Sequence, residues 1–320
     1  MKNVLVVGGA GYIGGATVDQ LLKAGNNVTV YDNLSYEPRF LKPVNFIFGD
    51  IRDTRKLIQV SSDFDVIVLM AALVGDPACS VDPQLTETIN FQSIKNFCLN
   101  ISKDKHVIFM STCSVYGAQD GILDEESKTN PLSSYASTKL AAEKYIADLG
   151  GTIFRLGTVF GLGDNFSRLR MDLVVNVLTM KAFFEKRITI NGGEQWRPII
   201  SVIDIANYIS ETVKFNIRGT YVLSLENVII KDLGLKIAEL VPDTEINYIE
   251  VPFQDARNYR VSNKKSFANF MYRPYITVEH EVLRFIKLFH EKRIENPFDN
   301  NYHNGAFLEK FKNKFNTLSI

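Results

Sequence analysis

The chain carries no excess charge, few cysteines and no long apolar run. Lys+Arg and Asp+Glu number 36 each, so no net field draws it to nucleic acid or to a membrane surface. Any anion it binds must be held by a local cluster. Its three cysteines, Cys79, Cys98 and Cys113, form no disulfide framework and lack paired metal-ligand spacing, so no metal site is expected and a reducing compartment is. Nothing approaches the ~20 consecutive apolar residues of a membrane span. The first strand pattern starts at Asn3, which leaves no room for a signal peptide ahead of it, so a cytoplasmic location is the expectation. There is no internal repeat and no low-complexity stretch. At 320 residues the chain can bury a large core in one or two domains.

What is present is alternation. Val4–Val7, Val28–Tyr31, Phe46–Phe48, Val66–Met70, Val107–Met110 and Thr152–Arg155 have strand length and are apolar. Between them, Ile13–Lys23, Leu85–Leu99 and Tyr135–Leu149 place apolar residues three and four apart, the helical spacing. This order predicts an α/β fold with a doubly wound parallel (Rossmann) sheet covered by helices on both faces. The expected domains are the doubly wound unit over residues 1–160 and a smaller, ligand-covering lobe over 161–295, partly interleaved with the last sheet strands. Residues 296–320, rich in Asn, Lys and Phe, read as a peripheral tail with an amphipathic helix at Ala306–Phe315. Ligands in such sheets sit beyond the carboxyl ends of the strands. The hydroxyl-rich stretch STCSVYG, residues 111–117, follows such an end and is therefore expected to line a cleft.

The first strand runs into Gly8-Gly9-Ala10-Gly11-Tyr12-Ile13-Gly14, a glycine turn opening a helix. Glycine there permits a tight turn and lets backbone amides approach a pyrophosphate at the helix N-terminus. Asp32 ends the next strand, 18 residues past Gly14. Its carboxylate would accept hydrogen bonds from both adenosine ribose hydroxyls and repel a 2′-phosphate, which favours NAD over NADP. The expected cofactor set is Gly8, Gly11, Tyr12, Ile13, Gly14, Asp32, Asn33, Asp50, Ile51, Ala71, Ala72 and Leu73, with Tyr135 and Lys139 at the nicotinamide end.

Tyr135 and Lys139, in SYASTK, fall four apart on one helical face. A phenol of pKa ~10 is a poor base at neutral pH. A neighbouring ammonium and the positive charge of oxidised nicotinamide both favour the phenolate, moving the tyrosine toward a useful range. The same lysine can hold the nicotinamide ribose. On the substrate side Arg168 and Arg170 stand on a loop entering a helix, with Asn176 beyond them. Arginine suits bidentate phosphate contacts. Val74, Cys113, Ser114 and Arg257 complete the expected substrate set.

VVGGAGYIG, YDNL, GDIRD, STCSVYG, YASTK, RLGTVFG and WRPIISVIDIA, spread over roughly residues 1–290, resemble the extended short-chain dehydrogenase/reductases, the nucleotide-sugar epimerases and dehydratases. The resemblance implies a triad of Thr112, Tyr135 and Lys139, with Tyr135 as base and Thr112 positioning the sugar hydroxyl. Hydride would pass between a sugar carbon, usually C4, and the nicotinamide. It implies that Arg197 binds the nucleotide diphosphate. It also implies a homodimer built on the helices Leu85–Leu99 and Tyr135–Leu149, with Phe91, Ile94, Leu140 and Ile146 as candidate contacts.

The family's 4,6-dehydratases carry Asp and Glu after the Thr, where this chain has Cys113 and Ser114, so elimination is disfavoured. RLGTVFG, RLRMDLVVN and ARNYRVSN are similar to the branch that includes GDP-heptose 4-dehydrogenases, beside the UDP-glucose 4-epimerase-like enzymes. The expected activity is therefore NAD-dependent oxidation of a nucleotide-diphosphate sugar, as a 4-epimerase or a stand-alone 4-dehydrogenase in surface-polysaccharide sugar biosynthesis. A catalytically silent NAD(H)-binding regulator and an NADPH-dependent 4-keto-sugar reductase are the alternatives. The presence of both Tyr135 and Lys139 speaks against the first, and Asp32 against the second.

Overall fold

The computed structural model describes residues 1–36, 39–164, 166, 168–250, 257–294 and 296–317. The first seven strands are β1 (Asn3–Val7), β2 (Asn27–Asp32), β3 (Asn45–Phe48), β4 (Val66–Leu69), β5 (His106–Thr112), β6 (Ala118–Leu123) and β7 (Thr152–Leu156). Seven more follow: β8 (Thr158–Phe160), β9 (Arg187–Asn191), β10 (Trp196–Ser201), β11 (Gly219–Leu223), β12 (Glu226–Ile229), β13 (Glu245–Ile249) and β14 (Asn258–Val261). The helices are α1 (Tyr12–Lys23), α2 (Thr54–Ser61), α3 (Asp76–Val81), α4 (Pro83–Glu87), α5 (Ser93–Asn100) and α6 (Ser134–Asp148). After them come α7 (Val174–Glu185), α8 (Val202–Phe215), α9 (Ile230–Leu240), α10 (Lys264–Asn269), α11 (Val278–His290) and α12 (Asn304–Thr317).

The main sheet is parallel throughout, in the order β11-β7-β5-β4-β1-β2-β3. Chain direction reverses across the sheet between β1 and β4, the switch point where ligands of such folds bind. Strand residues point alternately to the two faces. Leu5, Val7, Ile67, Leu69, Val107 and Phe109 meet the side covered by α2, α5 and α6. Val4, Val6, Val66, Val68, Ile108 and Met110 meet the side covered by α1 and α8. That double burial is why these strands read as unbroken apolar runs. Among the described residues no helix is long and apolar enough to cross a membrane. The thiols of Cys79, Cys98 and Cys113 are all buried and free.

Three expectations are corrected. The helix expected at Leu85–Leu99 is divided by a π-helical turn, Thr88–Gln92, between α4 and α5. The extra residue per turn brings the side chain of Asn90 onto the loop after β4, as described below. Of the apolar residues expected at a two-fold, Ile94 and Ile146 pack in the chain's own core, while Phe91 and Leu140 stay half-buried. The stretch after residue 296 is not peripheral. Phe307, Leu308 and Phe315 of α12 are 4 %, 0 % and 3 % exposed and belong to the core under β1, β4 and β5.

Candidate active site

The carboxyl ends of β1, β2, β4, β5 and β7 open into one cavity, lined among others by Gly8, Asp32, Ala71, Thr112 and Leu156. At its floor the chain turns at Gly8, whose φ of +87° is left-handed. A Cβ on Gly8 would stand 2.5 Å from the Ala71 nitrogen, and one on Gly14 would collide with the Gly8 carbonyl oxygen. Both positions therefore demand glycine. Gly11 caps α1 with no side-chain hydrogen bond, and Gly11, Tyr12, Ile13 and Gly14 line the cavity. The uncapped amides and the helix dipole suit an anion.

Asp32 lies opposite, its carboxylate accepting from the amides of Ala10 at 3.0 Å and Leu34 at 2.8 Å. Burial pushes its carboxyl up, and those amides oppose the shift. Asn33, Asp50 and Ile51 also line the cavity. The Asp50 carboxylate is already engaged by Arg52, at 2.9 and 2.8 Å, and by Asn33 at 2.9 Å. Its carbonyl accepts from the Tyr31 hydroxyl at 2.9 Å. Asp50 thus shapes the pocket wall through Asn33 and Tyr31. Ala71, Ala72, Leu73 and Val74 form the loop after β4. The Asn90 side chain clamps Leu73, accepting from its amide at 2.9 Å and donating to its carbonyl at 2.8 Å.

Ser133 starts α6, its hydroxyl accepting from the Ala136 amide at 3.2 Å. Tyr135 and Lys139 face the cavity, and Glu143 follows on the same face. Glu143 is bound from the sheet by Ser111 at 2.5 Å and by Arg155, at 3.1 and 2.7 Å. Arg155 also donates to the Tyr116 hydroxyl at 3.0 Å. Losing one partner of a buried pair costs about 3–5 kcal/mol, so this pair fixes where α6 sits on β5 and β7. Sequence reading missed it. The available signals were Arg155 as the only charge in the strand TIFRL and Glu143 four residues past Lys139.

Lys139 is 3 % exposed, its ammonium 4.7 Å from the centre of the Phe109 ring. Among the described residues no oxygen accepts a hydrogen bond from it. Burial pulls its pKa down to about 8. For Tyr135 the expected lowering is not what the protein alone produces: burial pushes the phenol up, with Cys79 and Asp76 adding to it. Arg170 and the hydrogen bond with Thr112 pull the other way without prevailing. A further positive charge is needed to make the phenol a base at neutral pH.

The far end of the cavity holds Thr112, Ser114, Val74 and Arg257. The Thr112 hydroxyl accepts from the Ser114 amide at 3.1 Å. Arg257 donates to the Ser114 hydroxyl at 3.2 Å and pairs with Asp76 at 3.3 Å. The other carboxylate oxygen of Asp76 is buried with no hydrogen-bond partner among the described residues. Sequence reading missed Asp76 as well, because no motif marks it.

Arg168 and Arg170 line the cavity, but three other substrate expectations are not met by the structure. Cys113 is fully buried and faces away from the cavity, its thiol donating to the Arg155 carbonyl at 3.2 Å, because the chain turns into a 3₁₀ helix, Cys113–Tyr116. Burial pushes that thiol up, so it is inert. Asn176 is also fully buried; it accepts from the Gly161 amide at 3.0 Å and donates to the Arg170 carbonyl at 2.7 Å, bracing the loop. Arg197 is not among the cavity's lining residues; its guanidinium donates to the carbonyls of Trp196 and Arg257. Residues 255 and 256, beside Arg257, lie outside the described residues.

A glycine cradle that a Cβ would fill, an uncapped helix N-terminus, a carboxylate across from it and a buried ammonium with no acceptor together fit a dinucleotide. Comparison with known proteins agrees. The model of the NAD dependent epimerase/dehydratase family matches residues 4–220. UDP-glucose 4-epimerase of Rhizobium meliloti is 37% identical over 159 residues, 47% of this chain and 47% of that one. The alignment thus spans about half the length of that curated relative, as it does for UDP-glucose 4-epimerase of Azospirillum brasilense, at 44%. Among solved structures, UDP-glucose 4-epimerase of Thermotoga maritima with UDP-glucose has a TM-score of 0.79 at 21% identity, over 91% of this chain and 100% of that one. UDP-glucose 4-epimerase of Thermus thermophilus with NAD has a TM-score of 0.77 at 24% identity, over 90% and 99%. At these identities the structural likeness shows the fold.

Proposed function

The chain belongs to the NAD dependent epimerase/dehydratase family, and from that premise we propose that it oxidises a nucleotide-diphosphate sugar at C4, using NAD, as an epimerase or a dehydrogenase. One observation carries the reading. Tyr135 and a buried, acceptor-less Lys139 share a cavity with the Gly8–Gly14 turn and Asp32. NAD, when bound, supplies the acceptor for the sugar's hydride. Its ribose hydroxyls give Lys139 the hydrogen-bond acceptors that the protein withholds. The positive charge that arrives with oxidised nicotinamide, next to that of Lys139, opposes the upward push of burial on Tyr135. Tyr135 then takes the proton of the sugar hydroxyl, and Thr112 orients that hydroxyl. Arg257 and Ser114 contact the substrate at the far end, with Asp76 beside them.

Incubation with a panel of nucleotide sugars, followed by mass spectrometry and NMR of the sugar, tests the reading. A 4-epimer or a 4-keto product supports it, and a panel recovered unchanged contradicts it. Calorimetric titration checks cofactor choice: NAD binds at least ~10-fold more tightly than NADP, because a 2′-phosphate would face the Asp32 carboxylate. Equal affinities would remove Asp32 from its role.

A homodimer and a cytoplasmic location complete the proposal. The first draws on half-buried Phe91 and Leu140 and on Leu99, 63 % exposed, all on α6 or the helical stretch packed against it. Light scattering at micromolar concentration should return twice the 36.2 kDa chain mass. The second fits three free thiols.

A further inference from the structure

Expected at the substrate's diphosphate, Arg170 shares the cavity with the glycine turn. Its Nη2 is 4.0 Å from where a Cβ on Gly75 would lie, in the loop after β4, the strand beside β1. Its charge acts on the phenols of both Tyr12, the first residue of α1, and Tyr36, four residues past Asp32. Both of those tyrosines line the cavity. Asp172 takes the Nε and one Nη2 proton of Arg170, at 2.6 and 3.1 Å. The Nη1 edge of the guanidinium has no acceptor among the described residues. A fork gripped along one edge and open along the other is suited to a bidentate phosphate contact. Arg257 pairs with Asp76, the neighbour of Gly75, and the charge of Arg170 also reaches the Tyr135 phenol.

The segment that ends in α12 holds this arginine in place. The Asn304 amide donates to Asp172 at 2.9 Å, and the Asn304 side chain donates to the Val74 carbonyl at 2.9 Å and accepts from Arg168. Arg168 lies over the Tyr36 ring, 4.3 Å from its centre, and donates to the Asn301 carbonyl at 2.7 Å. Phe307 and Phe315 pack on the same tyrosine, with ring centres 4.9 and 5.6 Å away. Asn304 and Phe315 themselves line the cavity. The Tyr36 hydroxyl is buried with no hydrogen-bond partner among the described residues.

We propose that Arg170, locked by Asp172 and Asn304, closes over the pyrophosphate of the bound dinucleotide from the side opposite the glycine turn. The segment ending in α12 is then a strap that retains the cofactor between turnovers. This rests on the reading that the cavity takes NAD. Arg170 and Asn304 are cofactor-binding and positioning residues respectively, and no motif announces Asn304.

The test is NADH release, followed by the loss of nicotinamide fluorescence when the NADH-loaded protein is mixed with excess NAD. Arg170→Lys keeps a cation for Asp172 and loses the fork; it should release NADH about tenfold faster or more. Asn304→Ala, a milder change, should speed release about threefold. Binding of UDP, measured by calorimetry on the same variants, should stay within about twofold of wild type if the diphosphate is the cofactor's. Weakened UDP binding with unchanged NADH release would assign Arg170 to the substrate's diphosphate and overturn the proposal. So would folded variants that alter neither. A wild-type protein that binds no NADH at all would instead overturn the functional reading beneath it.

Discussion

Tyr135→Phe will lower turnover by about 100- to 10,000-fold, the usual loss when a general base is removed, and will leave NAD binding intact. The ring keeps its packing, while the Gly8–Gly14 turn and Asp32 are untouched. The structure adds a pH signature. Burial pushes the free phenol up, and only Arg170 and Thr112 among the leading influences work against it. Turnover of the wild type should therefore rise with pH until the phenol ionises in the loaded site, and the residual turnover of the Phe variant should lack that rise. Cys113 cannot rescue the variant, because it is fully buried and faces the core. A folded, NAD-binding Phe variant with wild-type turnover across pH 6 to 9 would remove Tyr135 from the chemistry.

Lys139→Met carries the second large effect, and it acts in two directions. With cofactor and substrate, turnover falls about 100-fold or more and NAD affinity falls about tenfold or more, because the ammonium that holds the ribose and favours the phenolate is gone. Without cofactor the variant is more stable than the wild type. A buried cation with no acceptor costs free energy, and its pKa falls from 10.5 to about 8. Since the folded value is depressed, the cost is fully present below pH 8, where lysine is charged in both the folded and the unfolded chain. It fades as pH rises from 8 toward 10.5, where the folded chain has lost a proton that the unfolded chain still holds. Thermal unfolding of the two cofactor-free proteins should thus differ most at neutral pH and converge in alkali. NAD should narrow the gap by stabilising the wild type more. An unchanged melting temperature at pH 7 would mean that Lys139 finds acceptors in the cofactor-free protein.

Much of the fold was legible because it is written in local periodicity. A strand stretch buried on both faces is apolar at successive positions, as Val4–Val7, Val66–Leu69 and Val107–Met110 are. The glycine turn was legible for a steric reason, since a Cβ at Gly8 or Gly14 has nowhere to go. Tyr135 and Lys139 were legible because four residues is one helical turn. What failed to show was direction and distance. Whether Cys113 or Ser114 faces the cavity depends on the 3₁₀ turn that follows β5, and nothing in STCSVYG specifies that turn. Asn90 reaches Leu73 only because a π turn interrupts an otherwise regular helical pattern. Asn304 meets Asp172 across 132 residues of chain, and Glu143 meets Arg155 between a helix and a strand. Such pairings are products of the packed structure, and composition makes the helix at Asn304–Thr317 look like a surface tail even though its Phe and Leu side chains close the core.

The central claim, that a sugar C4 gives its hydride to NAD in this cavity, is tested most directly by isotope. The nucleotide sugar that the panel shows to turn over is prepared with deuterium at C4 and incubated with NAD-loaded protein, and the cofactor is then released and weighed by mass spectrometry. A dehydrogenase is predicted to leave deuterium on the nicotinamide ring and an epimerase to return it to C4 of the 4-epimer, in either case far more slowly in Tyr135→Phe. Deuterium that washes out into water while the sugar is converted, without marking the cofactor or returning to C4, would contradict the account.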